Sequence, residues 1–226
     1  METYATLQTF YAIAVKVALA ALIFNVAFCV FYGRRFNVPF KRLSLFLILN
    51  LLTEILAYTF IQLEINNLPL LHMYTLGEFV LLSYFYQSLF KKSSRFRKFL
   101  NYYIVIGALF ILSNSLWIQS IYGFNTIAKT FVQISIIGYA VFFFYRQLGD
   151  RPYPEAISKS LSLVNSAVII YYSGSLFIFM YGKFSLVHVE GYVVFWAFNA
   201  VLNFIFQLLI LIGLWKAFFR KKTLSL

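Results

Sequence analysis

The sequence predicts an all-α membrane protein, a single bundle of seven transmembrane helices over residues 1–226, with its N-terminus outside and its C-terminus in the cytoplasm. Three observations lead there. Hydrophobic residues make up 62% of the chain and charged residues only 12%, with a mean hydropathy of +0.81, whereas a water-soluble domain is near half apolar and a quarter charged. The apolar residues gather in runs close to or above the ~20 residues that cross ~30 Å of hydrocarbon. And sixteen of the nineteen Lys and Arg residues fall in four clusters, placed at every second gap between those runs and after the last.

The first run, 5–32, has no basic region ahead of it; Arg34 and Arg35 follow it instead. It therefore reads as a span with a translocated N-terminus and not as a cleavable signal peptide. Arg34, Arg35, Lys41 and Arg42 lie before the second run, 43–64. A tight Asn66-Asn67-Leu68-Pro69 turn leads to the third, 70–90, with no basic residue between them. Lys91, Lys92, Arg95, Arg97 and Lys98 precede the fourth, 100–118, and a neutral loop leads to the fifth, 124–146. Arg146, Arg151 and Lys159 precede the sixth, 160–182. An outer loop with Lys183 alone joins it to the seventh, 189–215, which Lys216, Arg220, Lys221 and Lys222 follow. In short loops such an excess of Lys and Arg marks the cytoplasmic face. The net charge of +12 then orients the chain among anionic head groups of a plasma membrane, a bacterial inner membrane in this reading, and nucleic acid is no partner.

All four prolines (Pro39, Pro69, Pro152 and Pro154) fall in predicted loops, so unbroken helices are expected. Gly77, Gly107, Gly138, Gly174 and Gly213, one in each of the last five spans, mark places where helices approach closely. Trp117, Tyr122, Tyr181 and Trp215 read as interfacial anchors. The single cysteine, Cys29, allows no internal disulfide.

Ionisable groups inside spans are costly and normally turn toward the bundle with a partner. Glu54 and Glu78 lie in the second and third spans, each ~12–15 Å below the outer surface at 1.5 Å per residue. Asn50, Glu54 and Tyr58 share one helix face at i, i+4, i+8, as do Tyr74 and Glu78 at i, i+4, with Thr75 alongside. At similar depth the first span offers Lys16, the fifth Thr126, Thr130 and Gln133, the sixth Tyr171, Tyr172 and Ser173. The seventh offers Trp196, Asn199, Asn203 and Gln207 along one face. These residues predict a polar-lined pocket opening outward. In it Glu54 and Glu78 carry ligand or proton recognition, Lys16 is the counter-ion of one of them, and Trp196 with Asn199 lines the opposite wall; a polar network that only locks helix packing is the alternative.

His72 and His188 stand at outer ends of spans, where solvated imidazoles are expected. With Glu64 and Glu190 they form a weaker candidate for a rim metal site, although their spacing matches no zinc motif. No cofactor is expected. Haem needs a mid-depth histidine, and retinal a lysine midway along the last helix, where this chain has Lys216 at the cytoplasmic end. Proline-dependent sugar carriers, serine or rhomboid-type hydrolases and zinc ceramidase-type enzymes all lack their residues here.

The stretch Asn66-Asn67-Leu68-Pro69-Leu70-Leu71-His72-Met73-Tyr74-Thr75-Leu76-Gly77-Glu78-Phe79 resembles the central segment of a group of uncharacterised bacterial multi-span membrane proteins, in which an N-N turn precedes H-x-Y-T and a Glu-Phe pair. The resemblance covers spans two and three. It implies no reaction or ligand and points to Asn67, His72, Tyr74 and Glu78.

The function expected is therefore non-enzymatic: binding of a small or lipid-like ligand, or of a partner membrane protein, with a signal passed through the cytoplasmic loops to a separate signalling or membrane subunit. A proton-coupled transporter or channel using Glu54 and Glu78 is the first alternative. A lipid-modifying intramembrane enzyme with one of these acids as general base is the second.

Overall fold

A computed structural model describes residues 2–90, 95–149, 155–185 and 189–223, with side chains excepted at 2–4, 156, 181–185, 189–192 and 220–223. Among these residues there are helices and turns but no strand: α1 (Glu2–Tyr32), α2 (Val38–Gln62), α3 (Leu68–Ser88), α4 (Arg95–Ser113), α5 (Thr126–Gly149), α6 (Glu155–Ser185) and α7 (Val189–Thr223). All seven are long and apolar enough to cross a bilayer, which marks a multi-pass membrane protein. Within their most apolar stretches only 28–50% of residues are buried, the inverse of a water-soluble fold and the pattern of helices solvated by lipid. Of the basic residues, Lys91, Lys92 and Arg151 lie outside the described residues, as do the side chains of Lys183, Arg220, Lys221 and Lys222.

The helices overrun the apolar runs. α2 starts at Val38 instead of 43 because Asn37 caps it, its side chain accepting from the Phe40 N–H. Lys41 and Arg42 are good helix formers and carry the helix through the basic segment. Pro39 and Pro69 are not loop residues: each occupies the first turn of its helix, where the missing N–H has no intrahelical partner to lose. Pro152 and Pro154 lie outside the described residues. The irregularity at the end of α4 owes nothing to proline. α4 continues into a π-helical turn, Asn114–Ile118, closed by the Gln119 N–H donating to the Asn114 carbonyl at 2.8 Å.

The chain forms two compact units. One comprises residues 1–36 and 137–226, the other residues 37–136, so α5 contributes its C-terminal part to the first and its N-terminal part to the second. In the first unit α7 packs against both α1 and α6. Asn25 of α1 donates to the Gln207 carbonyl (2.8 Å) and to its side-chain oxygen (2.9 Å), and Gln207 donates in turn to Asn203 (3.3 Å). Gly213 lets α7 lie close on α6: a β-carbon there would stand 3.2 Å from the Ser160 carbonyl oxygen. Gly138, by contrast, faces open space and marks no close approach.

In the second unit α3 packs between α2 and α4, and Leu43, Leu47, Phe79, Leu82 and Phe85 are fully buried. The α2–α3 turn is a Schellman closure: Ile65 N–H donates to the Phe60 carbonyl and Glu64 N–H to the Ile61 carbonyl. It places Glu64 in the left-handed region at φ 56°.

Candidate functional site

The chemistry concentrates in the second unit, on α3, the end of α4 and the start of α5. Glu78 lies midway along α3 and Lys129 one turn into α5. Lys129 Nζ is 2.6 Å from Glu78 Oε2, and the two side chains are 8% and 1% exposed. Tyr74, one turn before Glu78, donates from its hydroxyl to Glu78 Oε1 at 3.4 Å. Its ring also receives the ammonium, with Lys129 Nζ 5.2 Å from the centroid. Acid, base and aromatic thus form one compact group in spans where neither charge alone is tolerable.

Packing holds that group in place. Phe79, adjacent to Glu78 and fully buried, stacks toward Phe131 of α5 (5.6 Å) and Tyr103 of α4 (6.1 Å). Gly107 makes the space: a β-carbon there would lie 2.7 Å from Phe79 Cε1 and 3.3 Å from Phe131 Cε1. Tyr103 further bonds Ser135 at 2.7 Å.

A polar network lies at the N-terminal ends of α3 and α5. Buried His72 shares a hydrogen bond between Nδ1 and Ser115 Oγ (2.9 Å), and its Nε2 reaches the Gly123 carbonyl (3.1 Å). Asn114 donates to Gln119 Oε1 and to Asn125 Oδ1, both at 3.1 Å. Gln119 in turn bonds Thr126 Oγ1 (2.9 Å) and accepts from the Ile127 N–H (3.1 Å), capping α5. Asn114 Oδ1 and Asn125 Nδ2, an acceptor and a donor, are buried and have no hydrogen-bond partner among the described residues.

The sequence-predicted residues divide between the two units. Asn50, Glu54, Tyr74, Glu78 and Gln133 belong to the second, while Lys16, Tyr172, Trp196, Asn199 and Asn203 belong to the first. Tyr74 and Glu78 come together as expected from their spacing. The counter-ion of Glu78 is Lys129, not Lys16, which is exposed on α1. Glu54 is exposed too, whereas Glu78 is fully buried. The buried stripe of α2 runs through Leu43, Phe46, Leu47, Asn50 and Thr53 and ends there; Glu54 is on the same face as Leu47 and Asn50, at i+7 and i+4, but lies beyond the last buried residue. Asn50 and Gln133 are buried. In the first unit Tyr172 is fully buried against Tyr171 and Phe206, and Trp196 meets Phe179 edge-on at 5.8 Å.

Of the four rim-metal candidates, only the side chains of His72 and Glu64 are among the described residues. His72 is buried, not solvated, with both ring nitrogens engaged, and Glu64 is exposed in its turn. His188 and the Glu190 side chain lie outside the described residues. Among the described residues no group of three or more His, Cys, Asp and Glu is placed to hold a metal. Sequence reasoning missed Lys129 as the partner and Ser115, Asn114, Gln119 and Asn125 as the network. The available signal was a lysine alone in a span, on the same face as Thr126 and Gln133 at i, i+3, i+7.

No family model matches the chain, and neither a curated protein nor a solved structure is significantly similar to it.

Proposed function

We propose that the chain is a non-enzymatic receptor-like protein of a bacterial inner membrane, N-terminus outside, that recognises a small zwitterionic or lipid-like ligand through the Lys129–Glu78–Tyr74 group. One observation carries this reading: a desolvated lysine–glutamate pair inside apolar spans. Such a pair stabilises a fold less than well-packed apolar residues of the same volume, and an intramembrane ionisable group is by default functional. The pair offers one cation and one anion. A ligand bearing both charges takes each half as its partner, and the Tyr74 face accepts an ammonium in place of Lys129. The open acceptor of Asn114 and donor of Asn125 add hydrogen-bonding capacity close by along the chain. Exchange of partners frees α5 from α3, and the change passes to the basic cytoplasmic loops and a partner there.

Native mass spectrometry of protein released from membranes in gentle detergent tests this. The wild type carries a co-purifying polar or lipid molecule beyond bulk lipid, and the Glu78→Gln/Lys129→Met variant, folded by its helical circular dichroism, has lost it. A wild type that carries nothing, or a variant that retains the same molecule, removes the reading. Proton flux into proteoliposomes at a rate abolished by Glu78→Gln would replace it with transport.

A further inference from the structure

We propose that Arg42 and Arg97 hold the phosphate of one anionic phospholipid at the end of α2, α3 and α4 that carries the basic residues. All the groups concerned belong to the second unit, residues 37–136. Arg42 stands in the second turn of α2, Tyr84 and Gln87 in the last two turns of α3, and Arg97 and Asn101 in the first two turns of α4. Arg42 Nη1 donates to the Tyr84 carbonyl and, at 3.2 Å, to Gln87 Oε1, and its guanidinium lies 5.5 Å from the centroid of the Tyr84 ring. Buried Gln87 is itself fixed, its amide nitrogen donating to Asn101 Oδ1. Arg97 Nη1 donates to the Phe90 carbonyl at 3.2 Å, and its charge repels that of Arg42.

The bonds to α3 occupy only Nη1 of Arg42. Nε and Nη2, the edge that meets a phosphate in two parallel hydrogen bonds, have no partner among the described residues. The side chain is half-buried, so that edge can be reached. No carboxylate of this unit lies nearby along the helices. Its acids are Glu54, Glu64 and Glu78. Glu54 is twelve residues from Arg42 along α2, about 18 Å, and Glu78 nine residues from Gln87 along α3, about 13 Å. Two guanidiniums gathered without an acid are stabilised by an anion bound between them. The surroundings favour a lipid as its source. The ends of spanning helices lie at head-group depth, where basic pockets between helices take anionic head groups. About one turn further into the spans Leu45 and Tyr84 are exposed, an apolar surface that suits an acyl chain and that a free phosphate would not use. This inference is independent of the ligand reading, whose residues are Glu78, Lys129 and Tyr74.

Native mass spectrometry of the full chain in detergent tests the site, with phosphatidylglycerol and phosphatidylcholine of identical acyl chains as titrants. The first phosphatidylglycerol is expected to bind about tenfold more tightly than phosphatidylcholine, whose trimethylammonium offsets its phosphate charge, and about tenfold more tightly than later copies of itself. Arg42→Gln and Arg97→Gln should each weaken that first binding about tenfold. Lys41→Gln and Lys98→Gln remove the same charge from neighbouring exposed positions and should change it by less than about threefold. Helical circular dichroism checks the fold of each variant. Equal binding of the two lipids by the wild type overturns the proposal whether or not the variants fold. An equal loss in the lysine variants overturns it too, since surface charge in general would then be the cause. Displacement of bound phosphatidylglycerol by the same concentration of inorganic phosphate overturns the lipid as the source of the phosphate.

Discussion

Lys129 of α5 and Glu78 of α3 form a 2.6 Å ion pair with both side chains desolvated, so a charge contact ties two helices separated by α4 in sequence. Removing one partner strands the other. Glu78→Gln is expected to destabilise the protein by about 3–5 kcal/mol, because an uncompensated buried ammonium remains. Glu78→Gln/Lys129→Met should recover most of that loss, since no charge is left unpaired. Unfolding by SDS or heat in detergent measures the three variants. A double variant as unstable as the sum of the singles would show that the two side chains are not coupled.

Gly107 governs how closely α4 lies on Phe79. Gly107→Ala puts a methyl group 2.7 Å from Phe79 Cε1 and 3.3 Å from Phe131 Cε1, and overpacking of this kind costs about 1–3 kcal/mol. Combining it with Phe79→Leu, which withdraws the ring edge, should return part of that stability. Thermal unfolding of the single and double variants decides whether the collision is with this ring.

Glu64 closes α2 with φ 56°, a conformation that costs a residue with a β-carbon about 1–2 kcal/mol and glycine almost nothing. Glu64→Gly should therefore stabilise the protein, by about 0.5–1 kcal/mol once the greater freedom of an unfolded glycine is counted. Glu64→Ala keeps the strain and should show no comparable gain in midpoint temperature.

The proposed orientation rests on basic clusters in alternate loops and after the last span. A fluorescent protein that matures only in the cytoplasm, fused after Leu226, should fluoresce. Alkaline phosphatase, active only outside, should stay inactive in the same fusion and become active when fused in the loop near Asn66.

The span interiors were readable from sequence because bilayer thickness alone sets their apolar length. Their ends were not. Helix continues through Lys41 and Arg42 for reasons of capping and propensity that hydropathy does not see, and the π-helical turn at Asn114–Ile118 has no proline to announce it. The i, i+4 spacing of Tyr74 and Glu78 was enough to place them on one face. Choosing between Lys16 and Lys129 as counter-ion was beyond it, since spacing within a helix does not specify which neighbour that helix meets. Glu54 shows the same limit more sharply. It shares a face with buried Leu47 and Asn50, yet the buried residues of α2 end at Thr53 and Glu54 is exposed.

His72 yields the most specific prediction of protonation geometry. The Gly123 carbonyl, 3.1 Å from Nε2, can only accept a hydrogen bond, so Nε2 must carry the proton. In the neutral ring Nδ1 is then an acceptor and takes the Ser115 hydroxyl proton across 2.9 Å. That same hydroxyl also lies 3.1 Å from the Ile111 carbonyl and has a single proton to give. Neutral His72 therefore leaves the Ile111 carbonyl without the serine proton, while an imidazolium donates from both nitrogens and releases it to Ile111. Solid-state ¹⁵N NMR of His72 in liposomes should find a neutral ring with Nε2 protonated and Nδ1 accepting. A neutral ring protonated at Nδ1 would contradict this arrangement. His72→Leu removes the ring's polar contacts and leaves the Gly123 carbonyl unpaired, at a cost of about 1–3 kcal/mol. His72→Gln, able to donate to that carbonyl, should lose less.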